Sequence, residues 1–323
     1  MFNPQPFIDT FGSARVKLNE PLSNHTYIKI GGPADILIQV NTRQELIDAY
    51  TLAKTHHLPI YILGSGSNII VADGGIRGLV IKNRADQIKT VNFQGGVKDR
   101  SVKLASATIE VESGVITNHL VRYTIDEGLA GLEYFLGIPG TVGGAVYNNS
   151  HYQQELIGNH IKEVLVLTHR LKQKVYTQSQ LKFAYDFSIL QLTKELVLSA
   201  TFTLAGGDKQ QLWDKATGFA KNRAETQPLS QPNSGCMFQN LSPSQVEMLG
   251  ASSASTGSLI DQAGLKGIQV GGAQISTKHA NFVVNTGAAT AADVKKLISL
   301  VKRRVKAKFG ITLKPEVFFV GDK

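Results

Sequence analysis

The spacing of apolar positions changes several times along this chain and divides it into strand-like and helix-like stretches. Asp35 to Val40 carries a strand pattern, and Thr42 with Glu45 has capping-box spacing, which predicts a helix to about His56. Pro59–Leu63 and Ile69–Ala72 are short apolar runs on either side of a glycine turn, and Leu79–Lys82 is a third; all three are predicted strands. Val102–Glu112 contains the alternation KLASATIEVE, the pattern of a half-buried strand. Thr117–Glu127 has helical spacing, with Gly128 as a natural stop. Strands are predicted at Lys162–Thr168, Lys174–Thr177 and Leu196–Leu204, then a helix from about Lys209 to Glu225. The last helix begins at the Thr290/Asp293 pair and stops at Gly310, with Val294, Leu297, Ile298, Val301 and Val305 on one face. The tail ITLKPEVFFV reads as one strand able to return to the N-terminal part.

Composition narrows the class. A chain of 323 residues calls for two or three domains. Apolar residues at 42% and charged residues at 18% are ordinary for a folded protein. No apolar run is long enough to cross a bilayer, and MFNPQPFIDTFGSARVKL lacks the basic and apolar regions of a signal peptide. Cys236 is the only cysteine, so neither a disulfide framework nor zinc-finger spacing is possible, and no metal site is expected. These features predict a cytoplasmic protein. The net charge is +9, concentrated near Lys295–Lys308, where the basic residues lie mainly off the apolar face of the last helix. A solvated helix surface accounts for them, and no nucleic-acid-binding motif accompanies them.

Two glycine segments carry the chemical signal. GSGSN, Gly64, Ser65, Gly66, Ser67 and Asn68, stands between two predicted strands and can form an anion-binding nest of backbone N–H groups. It is neither a Walker loop nor a dinucleotide fingerprint, because no Gly-Lys-Ser/Thr follows and a strand, not a helix, comes next. GLEYFLGIPGTVGGAVYNN packs five glycines between Gly131 and Gly144 around one proline. Such a run suits backbone pressed against a flat ring and its diphosphate.

The strings NHTYIKIGGPA, GSGSNIIVADGGIRGLVI, GIPGTVGGAV, QPLSQPNSGCMFQN, LIDQAGLKGIQVGGAQISTKHANFVVN and FGITLKPEVFFVG together resemble the UDP-N-acetylenolpyruvoylglucosamine reductase family, in the family's order. The length and the absence of an evident tyrosine-loop insertion resemble its shorter, type II form. The resemblance implies an α+β fold: a two-part FAD-binding module of the vanillyl-alcohol-oxidase (PCMH) type plus a C-terminal α/β substrate-binding domain. It implies FAD-binding subdomains at 1–82, with a return strand at 311–323, and at 83–208, and a substrate-binding domain at 209–310. FAD is expected to be bound non-covalently by Gly64–Asn68 and by Gly137, Ile138, Pro139, Gly140, Thr141, Gly143, Gly144 and Ala145. NADPH is the implied co-substrate and a UDP-sugar the implied substrate.

For the reaction, the resemblance implies hydride transfer through the flavin to C3 of an enolpyruvyl group, then protonation of C2. An electron-rich enol ether accepts hydride only if its carboxylate takes up charge, which calls for cations or hydrogen-bond donors there and an acid near C2. Glu316 matches the family's catalytic glutamate. Cys236 stands where the family commonly has a proton-donating serine, and a thiol titrating near pH 8.5 can donate there too. Tyr185, Arg223, Asn240, Lys266 and His279 match or stand in for substrate-binding positions. One departure reverses charge: in FAYDFS, Asp186 occupies the place of a family arginine that contacts the substrate carboxylate. Arg223 is then the first candidate for a replacement cation, with Asp186 turned away or paired. His151, in the unusual stretch NNSHYQQEL, could reach the site, although a lone exposed histidine is more often incidental. The alternatives are another FAD-dependent sugar or alcohol oxidoreductase of this fold, or a catalytically weakened nucleotide-sugar binding protein.

Overall fold

The computed structural model describes residues 3–98 and 101–322, without the side chains of residues 97, 98 and 101–104. The chain forms two compact units, one of Met1–Lys17, Ile36–Ser65 and Gly78–Asn222, the other of Leu18–Asp35, Gly66–Arg77 and Arg223–Lys323. Helices and strands are mixed in both.

In the first unit the largest sheet is antiparallel, in the order Gln173–Thr177, Ile161–Leu167, Leu196–Gly206, Ser101–Glu112, Ile88–Lys98. The alternation in Ile109 and Val111 places both in the core, opposite Phe202 and Ala200. Helix Thr117–Asp126 lays Leu120, Val121 and Ile125 on the same core. Burying each such side chain contributes roughly 1.5–3 kcal/mol. A second core forms where helix Arg43–Thr55 sets Leu46, Ala49 and Ala53 against Ile36, Ile38, Leu79 and Ile81. That helix starts as its sequence predicts: Thr42 Oγ1 accepts the Glu45 N–H at 3.1 Å. Strand Ile60–Leu63 runs parallel to Leu79–Lys82 and delivers the chain to Gly64.

In the second unit a sheet runs in the order Asn233–Cys236, Phe282–Asn285, Ala273–Ile275, Gln269–Val270. Helix Ala291–Phe309 covers it with Val294, Leu297, Ile298, Val301 and Val305. Its start is a complete capping box between Thr290 and Asp293, and Asp73 accepts the Ala291 and Ala292 N–H groups at 2.7 and 3.0 Å. Gly310 ends it in the left-handed conformation. No described helix is long and apolar enough to cross a membrane.

The tail differs from its expectation. Only Phe318–Val320 is a strand, parallel to Ile69–Val71. Pro315 has no N–H to continue a ladder, and its neighbours pair sideways instead, Lys314 through its carbonyl with Gln239 and Glu316 through its N–H with Met237. Other elements escape the apolar pattern altogether. Strand Ile88–Lys98 leaves Val91 and Phe93 exposed and is defined by its pairing with Ser101–Glu112. Helix Pro243–Leu249 has no fully buried residue and only packs Val246 and Leu249 partly against the core, although its Ser242/Gln245 capping box is legible in SPSQ.

Candidate active site

The glycine segments owe their course to close backbone approaches. In the first unit, a Cβ on Gly64 would meet Thr141 Oγ1 at 2.5 Å, so this turn and the second glycine segment are in direct contact. Thr141 is itself the N-cap of helix Val142–Asn148, its hydroxyl accepting from Gly144 N–H at 3.5 Å. The pattern of glycines hides that helix from a reading by propensity, but a threonine three residues before Gly144 is its signal. Gly143 donates to Ser113 C=O at 2.8 Å, and Gly140 C=O accepts the Thr117 N–H at 3.1 Å. Gly137 N–H is held by Asn118 Oδ1 at 2.6 Å, while Ile138 packs on the core beneath. Gly137, Ile138, Pro139, Gly140, Thr141, Gly143, Gly144 and Ala145 thus line one path from the 3-10 turn Glu133–Phe135 into the helix. Ser65 continues from Gly64 and is half-buried.

Two observations fit a flat, polar-edged cofactor on this path. A Cβ on the exposed Gly144 would meet only Thr141 Oγ1, at 3.7 Å, so the space beside the helix start is open. Thr117 Oγ1 is buried with no hydrogen-bond partner among the described residues, next to Gly140. A buried hydroxyl left unmatched is costly. Thr117 was not among the sequence candidates, since nothing in the sequence alone marks it.

Gly66, Ser67 and Asn68 belong to the second unit. Gly66 has φ +69° and accepts from Tyr27 N–H at 3.1 Å, with its α-carbon against the His25 carbonyl, where a side chain does not fit. Ser67 and Asn68 are half-buried, and Asn68 C=O accepts from Phe318 N–H at 3.2 Å.

The second unit also brings together Cys236 and Glu316. Met237 C=O accepts the Glu316 N–H at 2.9 Å, and Phe238 bridges to Pro315. Glu316 therefore sits one position across from Cys236 at the end of strand Asn233–Cys236, and both are half-buried. Asn281 fixes this edge: its carbonyl oxygen Oδ1 accepts Phe238 N–H at 3.0 Å, and its amide donates to Phe238 C=O at 2.7 Å. Beside Cys236, Ser234 Oγ is buried with no partner among the described residues.

Asn240, Lys266 and His279 surround helix Thr256–Gln262. Asn240 Oδ1 accepts Thr256 N–H at 3.3 Å, and the His279 ring lies against Gly257, where a Cβ would come within 3.1 Å. Lys266 pairs with Asp261 at 2.6 Å and lies within electrostatic reach of His279. Burial first, and the Lys266 charge after it, push His279 below the ordinary histidine range. Arg223 is 7% exposed and its guanidinium donates to Gln227 Oε1, in the next turn, at 3.2 Å.

Tyr185 and Asp186 lie in the first unit. Asp186 is paired: its Oδ1 is 3.2 Å from His151 Nδ1, and the side chains are 12% and 18% exposed. The His151 ring stands 4.6 Å from that of Tyr185. Of the two readings of His151, the structure excludes the exposed, incidental one: its side chain is largely buried and paired. Its partner lies 35 residues on, brought across by Asn149, which donates to Ala184 C=O at 2.8 Å.

Comparisons find relatives over nearly the whole chain. Residues 227–320 match the family model for the UDP-N-acetylenolpyruvoylglucosamine reductase C-terminal domain, and residues 34–170 match an FAD binding domain. The chain is 35% identical to UDP-N-acetylenolpyruvoylglucosamine reductase of Caldanaerobacter subterraneus, covering 96% of this chain and 95% of that one. It is 36% identical to the reductase of Listeria innocua, over 97% of both chains. The solved reductase of Thermus caldophilus superposes with a TM-score of 0.73 at 32% identity, covering 94% of this chain and 98% of the other. The chain belongs to the UDP-N-acetylenolpyruvoylglucosamine reductase family.

Proposed function

We propose that this protein reduces the enolpyruvyl group of a UDP-linked N-acetylglucosamine to the lactyl ether of UDP-N-acetylmuramate, a step in peptidoglycan precursor synthesis. The observation that carries the reading is the backbone bond from Glu316 N–H to Met237 C=O, which joins the segment of Glu316 to the segment of Cys236 from opposite ends of the C-terminal matched region. The three functional parts 1–82 with 311–323, 83–208 and 209–310, and a cytoplasmic location, belong to this proposal.

FAD, when bound, supplies the hydride relay from NADPH to the substrate. In the first unit, Gly64, Ser65 and Gly137–Ala145 would hold it through backbone groups, with Thr117 Oγ1 a further polar contact. Cys236 holds the proton that C2 requires after hydride reaches C3. Glu316, half-buried beside it, orients the substrate carboxylate's surroundings and keeps the proton path in place. Asn240, Lys266 and His279 gather at one helix and supply the amide, the cation and the ring that a sugar diphosphate and its uracil need.

The test is anaerobic spectroscopy of the FAD-loaded protein. NADPH should bleach the flavin band, and the enolpyruvyl sugar nucleotide should restore it with formation of UDP-N-acetylmuramate. Bleaching without restoration by the substrate sinks the reductase reading and favours a binding protein; oxygen consumption with a simple alcohol favours an oxidase.

A further inference from the structure

Charge of one sign collects on one element of the second unit. Helix Ala291–Phe309 carries seven lysines and arginines against a single acid, Asp293, which is two-thirds of the chain's net charge of +9. The other long helices mix signs. Arg43–Thr55 has Glu45 and Asp48 beside Arg43 and Lys54, and Lys209–Thr226 has Asp214 and Glu225 among its basic residues. A helix face turned only to water commonly mixes signs in this way, because an acid one turn away offsets a cation. Here that relief is missing. Lys302 with Lys306, and Arg304 with Lys308, stand four residues apart, the spacing at which like charges weaken a helix.

Asp293 does not supply the relief, because its carboxylate is engaged at the helix start. It accepts the Thr290 N–H at 3.1 Å and the Gly272 N–H at 3.4 Å. Two of the cations have partners: Lys295 lies over the Phe319 ring, 5.5 Å from its centre, and Lys308 donates to Gln262 C=O. Lys302, Arg303, Arg304 and Lys306 have no ion-pair partner among the described residues. The helical period puts Lys296, Ser299, Arg303, Lys306 and Ala307 on one exposed face, opposite the buried Val294, Leu297, Ile298, Val301 and Val305. Lys296 to Lys306 spans about 15 Å.

The chemistry of this face selects its partner. No large apolar side chain on the helix is exposed, so nothing here wedges between acyl chains. The face also lacks the aromatic platforms that hold single-stranded nucleic acid and the asparagine or glutamine amides that read base edges. What remains is a row of cations that matches a broad surface of fixed negative charge, such as the headgroup plane of an anionic bilayer. We propose that this face of helix Ala291–Phe309 docks the protein on an anionic phospholipid surface, by charge alone and without insertion. The inference goes beyond the reductase reading and does not depend on it.

Sedimentation of the FAD-loaded protein with vesicles tests it. Vesicles of phosphatidylglycerol mixed with phosphatidylcholine should carry the protein down, and vesicles of phosphatidylcholine alone should not. Salt at about 1 M, where the screening length is about 3 Å, should release it. Each basic residue near such a surface strengthens binding about fivefold, so Arg303→Gln with Lys306→Gln should weaken binding about twenty-five-fold. Lys296→Gln with Arg304→Gln should do the same and carries the test if the first pair has not folded. Both variants should melt no lower than the original protein, since repulsion along the helix is relieved, and NADPH should reduce their flavin at the original rate. Arg170→Gln with Lys172→Gln removes the same charge from an exposed turn of the first unit and should leave binding unchanged. If that control costs as much as the helix variants, total charge and not this face is responsible, and the proposal is overturned. Equal binding to both kinds of vesicle, or none to either, overturns it too. So does tighter binding to polyuridylate RNA that the helix variants abolish, which would make nucleic acid the occupant.

Discussion

Met237, the residue after Cys236, accepts the Glu316 N–H through its backbone carbonyl. If the thiol protonates C2, Cys236→Ala should leave flavin reduction by NADPH unchanged and slow reoxidation by substrate about a hundred- to ten-thousandfold, the range of general-acid catalysis. Cys236→Ser should keep much of the rate, because a hydroxyl also donates. Full activity in the alanine variant would reduce the residue to packing. His279 makes a separate prediction for stability. Burial and then Lys266 lower its affinity for a proton in the folded state. The unfolded chain, titrating near 6.5, therefore binds the proton more readily, so stability rises with pH from the lowered folded value up to about 6.5 and is full above it. His279→Gln should flatten that segment of a melting-temperature profile measured against pH. At this scale the sequence identified Cys236, Glu316 and His279 as candidates, because their motifs are local. The pairing of His151 with Asp186 was not legible, because 35 residues separate them and only the folded loop closes the gap.

The elements show where local pattern suffices. Helix Arg43–Thr55 and helix Ala291–Phe309 both begin one residue after the threonine that the sequence marks as a cap. Thr290→Ala should cost about 1 kcal/mol of unfolding free energy, readable by urea denaturation, because its hydroxyl satisfies Asp293 N–H. The glycine segments are a harder case. Gly64→Ala would force a methyl group against Thr141 Oγ1, and that oxygen cannot swing aside without giving up the helix cap. A loss of about 1–3 kcal/mol and poorer retention of FAD are expected, measured by melting and by the flavin left after gel filtration. Gly250→Ala serves as a comparison for backbone conformation alone, since Gly250 has φ +57° and open space around it. A Gly64→Ala protein with unchanged stability and flavin would show that the turn tolerates a side chain. Strand Ile88–Lys98 and the true bounds of the tail strand were illegible for a shared reason: pairing with a distant neighbour, not the strand's own alternation, defines them.

For the whole molecule, much of the chain's excess positive charge lies on helix Ala291–Phe309, off the apolar face that closes the core of the second unit. FAD binding should be visible as stabilisation: at a free concentration one hundred times Kd, a ligand of the folded state adds about 2.7 kcal/mol. Calorimetric scans of flavin-stripped protein with and without FAD check this, and a colourless protein whose melting does not respond to FAD would contradict the cofactor assignment. The sequence by itself determined the mixed fold class, the family and most regular elements, because caps, alternation and glycine motifs act over a few residues. Tertiary structure alone decided how the chain is divided into compact units, with residues 18–35 and 66–77 grouped with the C-terminal part. It alone also decided which strand receives the tail, which segment Glu316 pairs with, and what partner Asp186 finds. Those outcomes depend on contacts between segments far apart in the chain, whose free energy appears only when both are buried or hydrogen-bonded together, and no local spacing encodes which pair will meet.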